Sequence, residues 1–367
     1  MSSKKQIILD VLAKNAVVIM FLFIVGIAIP FSKYSGLFLV QEIIKRLGRD
    51  SFLVIALLLP VMAGMGINFG LAMGAMGSQV ALILVTDWNI TGALGILVAA
   101  LIATPINIIL GYAGGAILNR AKGREMITSY ILGFFMSGVY QLTLLYCMGT
   151  IIPVESRELV LSRGFGIRNA IQLLGIKGSL DRFLGISLKV AGVEIPSLTF
   201  VLIAIICIFN IWIRKTKLGQ EIRAVGQDME VARTAGINVE KTRIISMILS
   251  TVLAGYGQLI YIQNIGTLAT YNGTDSLALF SAASLLVGGA TVNRATIPNV
   301  FIGTALFHLM FVVMPLAGNN LFGSAIIGEY FRVFISYAVI TIALVIHAWN
   351  RNREKEQARL KLRNEAR

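Results

Sequence analysis

The sequence predicts an all-α, polytopic helical membrane protein with about ten transmembrane helices and both termini in the cytoplasm. Three observations carry that prediction. The 367-residue chain is 56% hydrophobic and only 14% charged, with a mean hydropathy of +0.80, whereas soluble domains carry about 25% charged residues. Too little polar surface remains to clothe a water-facing globule. The apolar residues also fall in runs close to the ~20 residues that a helix needs to cross ~30 Å of hydrocarbon. Lys and Arg, finally, gather in alternate connections between those runs, which is the asymmetry that sets orientation.

The runs are 16–31, 52–66, 70–85, 92–118, 127–152, 197–213, 244–265, 277–292, 297–315 and 330–349. Backbone groups in lipid must find partners within their own segment, so runs this apolar are helices. Lys4, Lys5 and Lys14 precede the first run as they would in a signal peptide, but no small-residue cleavage site follows Pro30. It reads as an uncleaved span. The second and third runs merge through a glycine-rich junction, which leaves the boundary at 66–70 open. With the N-terminus inside, the basic stretches 1–15, 119–126, 214–243, Arg294 and 350–367 all face the cytoplasm.

Segments 32–50 and 153–196 then lie outside. The first breaks the charge rule with Lys33, Lys45, Arg46 and Arg49, and an interfacial helix would accommodate it. The second mixes Leu159, Leu161, Phe165, Ile167, Ile171, Leu173 and Leu174 with Arg157, Arg163 and Arg168. That mixture suggests an amphipathic helix on the membrane surface or beneath a partner. The organisation is one membrane domain over 1–367, with an extracytoplasmic segment at 153–196, a cytoplasmic loop at 214–243 and a charged, solvated tail at 350–367.

Several function classes fall away. The net charge of +14 does not mark a nucleic-acid binder, because the charges sit between apolar runs and not on one face. Cys147 and Cys207 lie inside runs and read as small core hydrophobes, with no metal spacing. No G-x-x-x-x-G-K-[ST] loop occurs, so the chain has no phosphate cradle of its own. No run carries an acidic residue at its centre, where an ion-driven carrier keeps one. His308 reads as a partner in a hydrogen bond to a neighbouring helix, with a proton relay as the alternative. A membrane enzyme lacks its paired carboxylates or activated nucleophile. A transporter of this composition must draw energy from another subunit.

Neutral amides inside the runs are the candidates for a solute pathway: Asn68, Asn107, Gln258, Gln263 and Asn264, with Gln79 and Gln141. They donate and accept without carrying charge through lipid, which suits an uncharged, hydroxyl-rich solute. Interhelical hydrogen bonding is the alternative for each. Tyr256, Tyr261 and Tyr271 offer ring faces for a sugar or base, or serve as interfacial anchors. Gly66, Gly70 and Gly74 recur every four residues, which allows close helix packing or a broken helix along the path.

The loop 214–243 is the most informative stretch. It reads Lys217-Leu218-Gly219-Gln220-Glu221-Ile222-Arg223-Ala224-Val225-Gly226-Gln227-Asp228, then Val231-Ala232-Arg233-Thr234-Ala235-Gly236-Ile237-Asn238-Val239. The expectation is a short helix ended by Gly226 and a second ended by Gly236, each glycine in a left-handed cap. A compact helical knob of that kind suits docking into a partner's groove, or forms a plain solvated connector.

The pattern from Gly219 to Val239 resembles the coupling loop of bacterial ABC-importer permeases of the branched-chain amino acid, ribose and nucleoside superfamily. The resemblance implies that Gly219, Ile222, Arg223, Ala224, Val225, Gly226, Ala232 and Gly236 couple the chain to a separate ATPase. Gln227-Asp228 departs from the pair common in that family. At the other junction, Asn68-Phe69-Gly70 looks closer to the nucleoside subgroup, while Ala72 and Met73 stand where that subgroup has Glu-Gly.

The implied protein is a permease subunit with no cofactor of its own. ATP and magnesium would be bound by an ABC ATPase dimer. A second permease subunit, identical or not, would complete the membrane unit, and an extracytoplasmic solute-binding protein would deliver the solute. The resemblance points to a ribose-type monosaccharide or a nucleoside, and not to an amino acid.

Overall fold

The computed structural model describes residues 16–182, 188–190, 192–291, 294–324 and 326–335, with isolated positions between 337 and 345. The basic stretch 1–15, the tail 350–367 and most of the 330–349 run lie outside the described residues. The helices are α1 (Ala16–Ser32), α2 (Gly36–Ala56), α3 (Leu58–Met62), α4 (Leu71–Asp87), α5 (Gly92–Arg120), α6 (Glu125–Leu142), α7 (Ser179–Arg182), α8 (Ser197–Lys215), α9 (Lys217–Gln227), α10 (Met229–Thr234), α11 (Val239–Ile265), α12 (Leu277–Val287) and α13 (Ile297–Phe322). A π-helical turn, Thr143–Cys147, extends α6, and residues 326–335 are helical. Among the described residues, α5, α6 with its extension, α8, α11 and α13 are each long and apolar enough to cross a membrane.

The bundle is organised around α11, which packs along α5, α4 and α2, while α13 lies against α1, α2 and α12. Small residues permit the closest of these approaches. A Cβ on Gly74 would sit 2.1 Å from the Thr251 carbonyl oxygen, and one on Gly111 would sit 2.8 Å from the Ile248 Cα. Van der Waals packing is what holds helices together in lipid, so backbones that nearly touch gain the most from it. On its other side α5 presents Leu94, Leu97, Leu101 and Ile108, all exposed at helical spacing, as a face solvated by acyl chains requires.

Four departures from the expected layout matter. The segment 32–50 is not separate from the second run: α2 starts at Gly36, where the Ser35 hydroxyl accepts the Phe38 amide at 3.3 Å. Its charges pair within the helix, Arg46 with Glu42 at 2.8 Å and Arg49 with Asp50 at 3.0 Å. Asp50 therefore stands inside a helical stretch, 8% exposed, and its Oδ2 lies 3.1 Å from His308 Nε2 on α13. The expectation that no run holds a central acid overlooked it, because α2 was cut in two; the His308 reading as an interhelical partner stands.

The described residues of 153–196 form turns, short strands and the single-turn helix α7, not an amphipathic helix. Strand β1 (Ala170–Gln172) pairs antiparallel with β4 (Thr267–Ala269), and β2 (Leu188–Val190) with β3 (Val193–Ile195). The apolar pairs Leu159/Leu161, Phe165/Ile167 and Ile171/Leu173 are two residues apart, the period of a strand and not of a helix. These strands are small additions to an otherwise helical fold.

Two helices are interrupted. The chain leaves helical geometry from 63 to 70, between α3 and α4. At the other break, α12 has only 11 residues, about 16 Å at 1.5 Å per residue, or roughly half of a ~30 Å hydrocarbon layer. Strand β4 and the turns of 270–276 lead into it from the strand-bearing end of the bundle, hereafter the cap end.

Candidate functional site

At the end opposite the cap, α9 and α10 form the helical knob. Thr216 starts it, accepting the Gly219 amide at 3.3 Å. The first helix runs on to Gln227, so Gly226 is a helical residue and not a left-handed cap. Its small size answers to contact instead: a Cβ there would lie 1.9 Å from the Met62 carbonyl oxygen. Asp228 separates the two helices, and its carboxylate accepts the Glu230 and Val231 amides at 2.8 and 3.1 Å. The departure at Gln227-Asp228 is thus an N-cap. Gly236 does take the left-handed conformation, φ +83, as expected for a helix stop.

Asp228→Ala should cost α10 about 1 kcal/mol, the usual price of a lost N-cap. Hydrogen exchange at the Glu230 and Val231 amides should then quicken about fivefold. Unchanged exchange would show that α10 is held by its packing alone.

The knob has two faces. Gly219, Ile222, Val225 and Ala232 are buried, with Ala224 and Gly226 partly so. Ile222 packs with Ala63, Met65, Leu118 and Met247, while Val225 packs with Ala232 and Val239. These residues fasten the knob to the bundle. The outer face presents Arg223, Gln227, Asp228, Val231 and Gly236, all exposed, and Val231 is 63% exposed. The residues implied in coupling therefore divide, with Arg223 and Gly236 available to a partner and the others facing the chain's own core.

The inner face rests on the break between α3 and α4. Gly64, with φ +70, approaches Gly226 so closely that a Cβ on Gly64 would lie 2.9 Å from the Gly226 Cα. Next along the break, Asn68 turns the chain into α4 by accepting the Gly70 amide at 2.9 Å. Phe69 follows, its amide donating to Ser129 Oγ on α6 at 3.2 Å, and its ring enters a cavity of about 260 Å³ between α4, α6 and the start of α12. One eight-residue segment thus touches the knob at one end and a cavity at the other. Beside the knob, Arg243 donates to Glu125 Oε1 at 2.5 Å and to Met229 Sδ at 3.2 Å. This joins α11, α6 and α10 through a fully buried guanidinium.

The amides expected along a pathway lie in helix interfaces. Asn107 donates to Ser78 Oγ at 3.3 Å, and Asn107, Gln258 and Gln263 are fully buried. The side-chain nitrogen and oxygen atoms of Gln258 and Gln263 have no hydrogen-bond partner among the described residues. Asn264 is partly exposed near the end of α11. None of the five lines the cavity at Phe69. Gln79 accepts the Tyr140 hydroxyl at 2.6 Å, and Gln141 donates to the Tyr271 carbonyl at 3.2 Å.

Sequence reasoning missed Asp275, which lines the cavity and accepts from Ser137 Oγ at 3.1 Å. It is exposed and stands just outside an apolar run, so its place at the cavity follows from the fold and not from the sequence pattern. The loop that carries it is tied to the cap. Thr270 Oγ1 donates to the Arg168 carbonyl at 2.8 Å, and the Tyr271 hydroxyl donates to the Ile167 carbonyl. Burial raises the Tyr271 pKa above its ordinary value while Arg163 pulls it down, so the hydroxyl remains a donor at neutral pH.

The sequence of the chain is similar to those of known proteins. A probable ABC transporter permease of Sinorhizobium fredii is 28% identical over 159 residues, 43% of this chain and 46% of that protein. The probable branched-chain amino acid transport permease LivH of Methanocaldococcus jannaschii is 32% identical over 149 residues, 40% of this chain and 45% of the relative. The ribose import permease RbsC of Escherichia coli K12 is 26% identical over 258 residues, 69% of this chain and 70% of the relative. The match thus spans just under half the length of the first two relatives. No solved structure matches significantly. The family model described as branched-chain amino acid transport system / permease component covers residues 51–344, most of the helical bundle and all of the knob. The chain belongs to that family of membrane permeases.

Proposed function

We propose that this protein is the transmembrane permease subunit of an ABC importer for a small polar solute, a ribose-type monosaccharide or a nucleoside. The observation that carries the proposal is the two-faced knob: its inner face is seated on the α3–α4 break, and its outer face is left open. An ABC ATPase dimer, which binds ATP and magnesium, docks on Arg223, Gln227 and Val231 in the helix-in-groove manner. Its closure pushes α9, and Gly226 passes that displacement to Met62 and Gly64. The break moves with them, and so does Phe69 at the cavity.

About ten spans, with the N-terminus and C-terminus inside, place the knob on the ATPase side and the cap outside. A second permease subunit completes the pathway. The solute-binding protein docks at the cap, where a cavity of about 930 Å³ is rimmed by Asp87, Glu155 and Glu158. Relatives are named for both ribose and branched-chain amino acids, so the solute class rests on the resemblance at Asn68-Phe69-Gly70 and not on their names.

Purification of the full chain from its native membranes should bring an ATPase subunit with it. The double variant Arg223→Glu, Val231→Glu should reduce that recovery about tenfold, as loss of an exposed hot spot does. Labelling of Val231→Cys from the outside of intact cells alone would overturn the assignment. One observation favours an ion-coupled secondary transporter, the Asp50–His308 pair between α2 and α13. Uptake by this chain alone into vesicles without ATP would establish that reading.

A further inference from the structure

The cavity that receives Phe69 has the chemistry of a binding site. Phe69, Tyr130 and Phe134 form a run of edge-to-face rings, with centroids 5.5 and 4.7 Å apart and interplanar angles of 81° and 87°. Tyr130 and Phe134 are 45% and 58% exposed, so their faces are not consumed by packing. Asp275, Ser276 and Ser137 line the same cavity, and Asp275 and Ser276 are exposed there. Thr274 borders it as well but is only 1% exposed.

We infer that this cavity binds the transported solute through a neutral ring bearing vicinal hydroxyls, the feature shared by pentoses and ribonucleosides. This rests on the permease reading above and adds the contact residues to it. A ring face stacks on Tyr130, as apolar C–H edges do on the electron-rich face of an aromatic ring. Its hydroxyls donate to the Asp275 carboxylate, which accepts several hydrogen bonds at once, while Ser276, exposed on the same cavity, donates to or accepts from the next oxygen.

Size and charge narrow the class. A volume of about 260 Å³ falls below the ~300–1,000 Å³ clefts that hold drug-sized ligands. No Lys or Arg lines the cavity among the described residues, so neither an anion nor the carboxylate of an amino acid has a counter-charge there. Asp275 with the Ser137 and Ser276 hydroxyls supplies the acceptors and donors that a polyol needs. Choline in the test stands for the cation that a carboxylate among aromatic rings would otherwise favour. The position fits as well, because α12 begins at Leu277, and interrupted helices place their ends at solute sites near the bilayer midplane.

The test uses the full chain in detergent, titrated separately with D-ribose, uridine, L-isoleucine and choline while its melting temperature is followed. Ribose or uridine should raise it saturably, and the tighter of the two identifies sugar or nucleoside as the source of the diol. Asp275→Asn and Tyr130→Ala should each weaken that binding about tenfold or more, the loss expected for a hydrogen bond to a charged group or for a stacking face. The melting temperature of each variant without ligand, compared with that of the wild type, controls for misfolding.

The inference is overturned if neither diol binds, if isoleucine or choline binds in their place, or if Asp275→Asn and Tyr130→Ala bind normally. No ATPase takes part in this assay. Failure to recover an ATPase with the chain overturns the importer reading while a bound diol leaves the pocket standing. Loss of diol binding with the ATPase recovered does the reverse.

Discussion

Gly226→Ala should silence ATP-driven uptake in the reconstituted importer while the ATPase subunits alone hydrolyse ATP as before. The added Cβ would fall 1.9 Å from the Met62 carbonyl oxygen, 2.9 Å from its carbon and 3.0 Å from the Gly64 amide nitrogen. All three are backbone atoms, so no change of rotamer relieves the overlap, and the knob must lift from the break. A displacement of about 1 Å in a positioning element commonly costs a hundredfold in rate, and a loss of that order is expected here. Uptake of radiolabelled solute into proteoliposomes, measured beside ATP hydrolysis, checks it. Wild-type uptake would show that the Gly64–Gly226 contact carries no motion.

Arg243→Ala should be the most destabilising single change at the knob end. Arg243 is fully buried and Glu125 is 8% exposed, so the variant leaves a carboxylate in the interior without its partner. Breaking such a pair typically costs about 3–5 kcal/mol, whereas replacing both members with apolar or neutral groups costs far less. The double variant Glu125→Gln, Arg243→Met should therefore recover much of the melting temperature that Arg243→Ala loses. If the single variant melts like the wild type, α6 and α11 are held together by packing and not by the ion pair.

The helices and the family were legible in the sequence because both are written in local terms. Apolar runs of membrane-crossing length mark α5, α8, α11 and α13 directly, and the Gly219–Val239 pattern carries the resemblance that the family match supports. What escaped was set by pairing between distant segments. Helix α2 was cut in two because Glu42, Arg46, Arg49 and Asp50 look like a boundary until their mutual pairing inside one helix is seen. The segment 153–196 was read by composition, which says amphipathic, and not by its period of two, which says strand.

Gly226 was assigned a backbone role because glycine near a helix end is usually a cap. The Met62 carbonyl that forbids a side chain there is more than 160 positions away. The pathway amides follow from residue type alone, which places them in apolar runs and says nothing of the surface each one reaches. Asp275 lies outside those runs, and only the fold shows that its loop borders the cavity.

The stretch from Gly64 to Phe69 has a thermodynamic corollary. Its ends are so near in sequence that one backbone conformation serves both, and no side-chain wire is needed to connect them. Whatever free energy a docked motor spends in favouring one conformation at Phe69, an occupant of the cavity that prefers the same conformation returns to the motor in equal amount. Filling the cavity should then tighten the grip of the ATPase on the membrane unit by the same factor that the ATPase tightens the grip on the cargo.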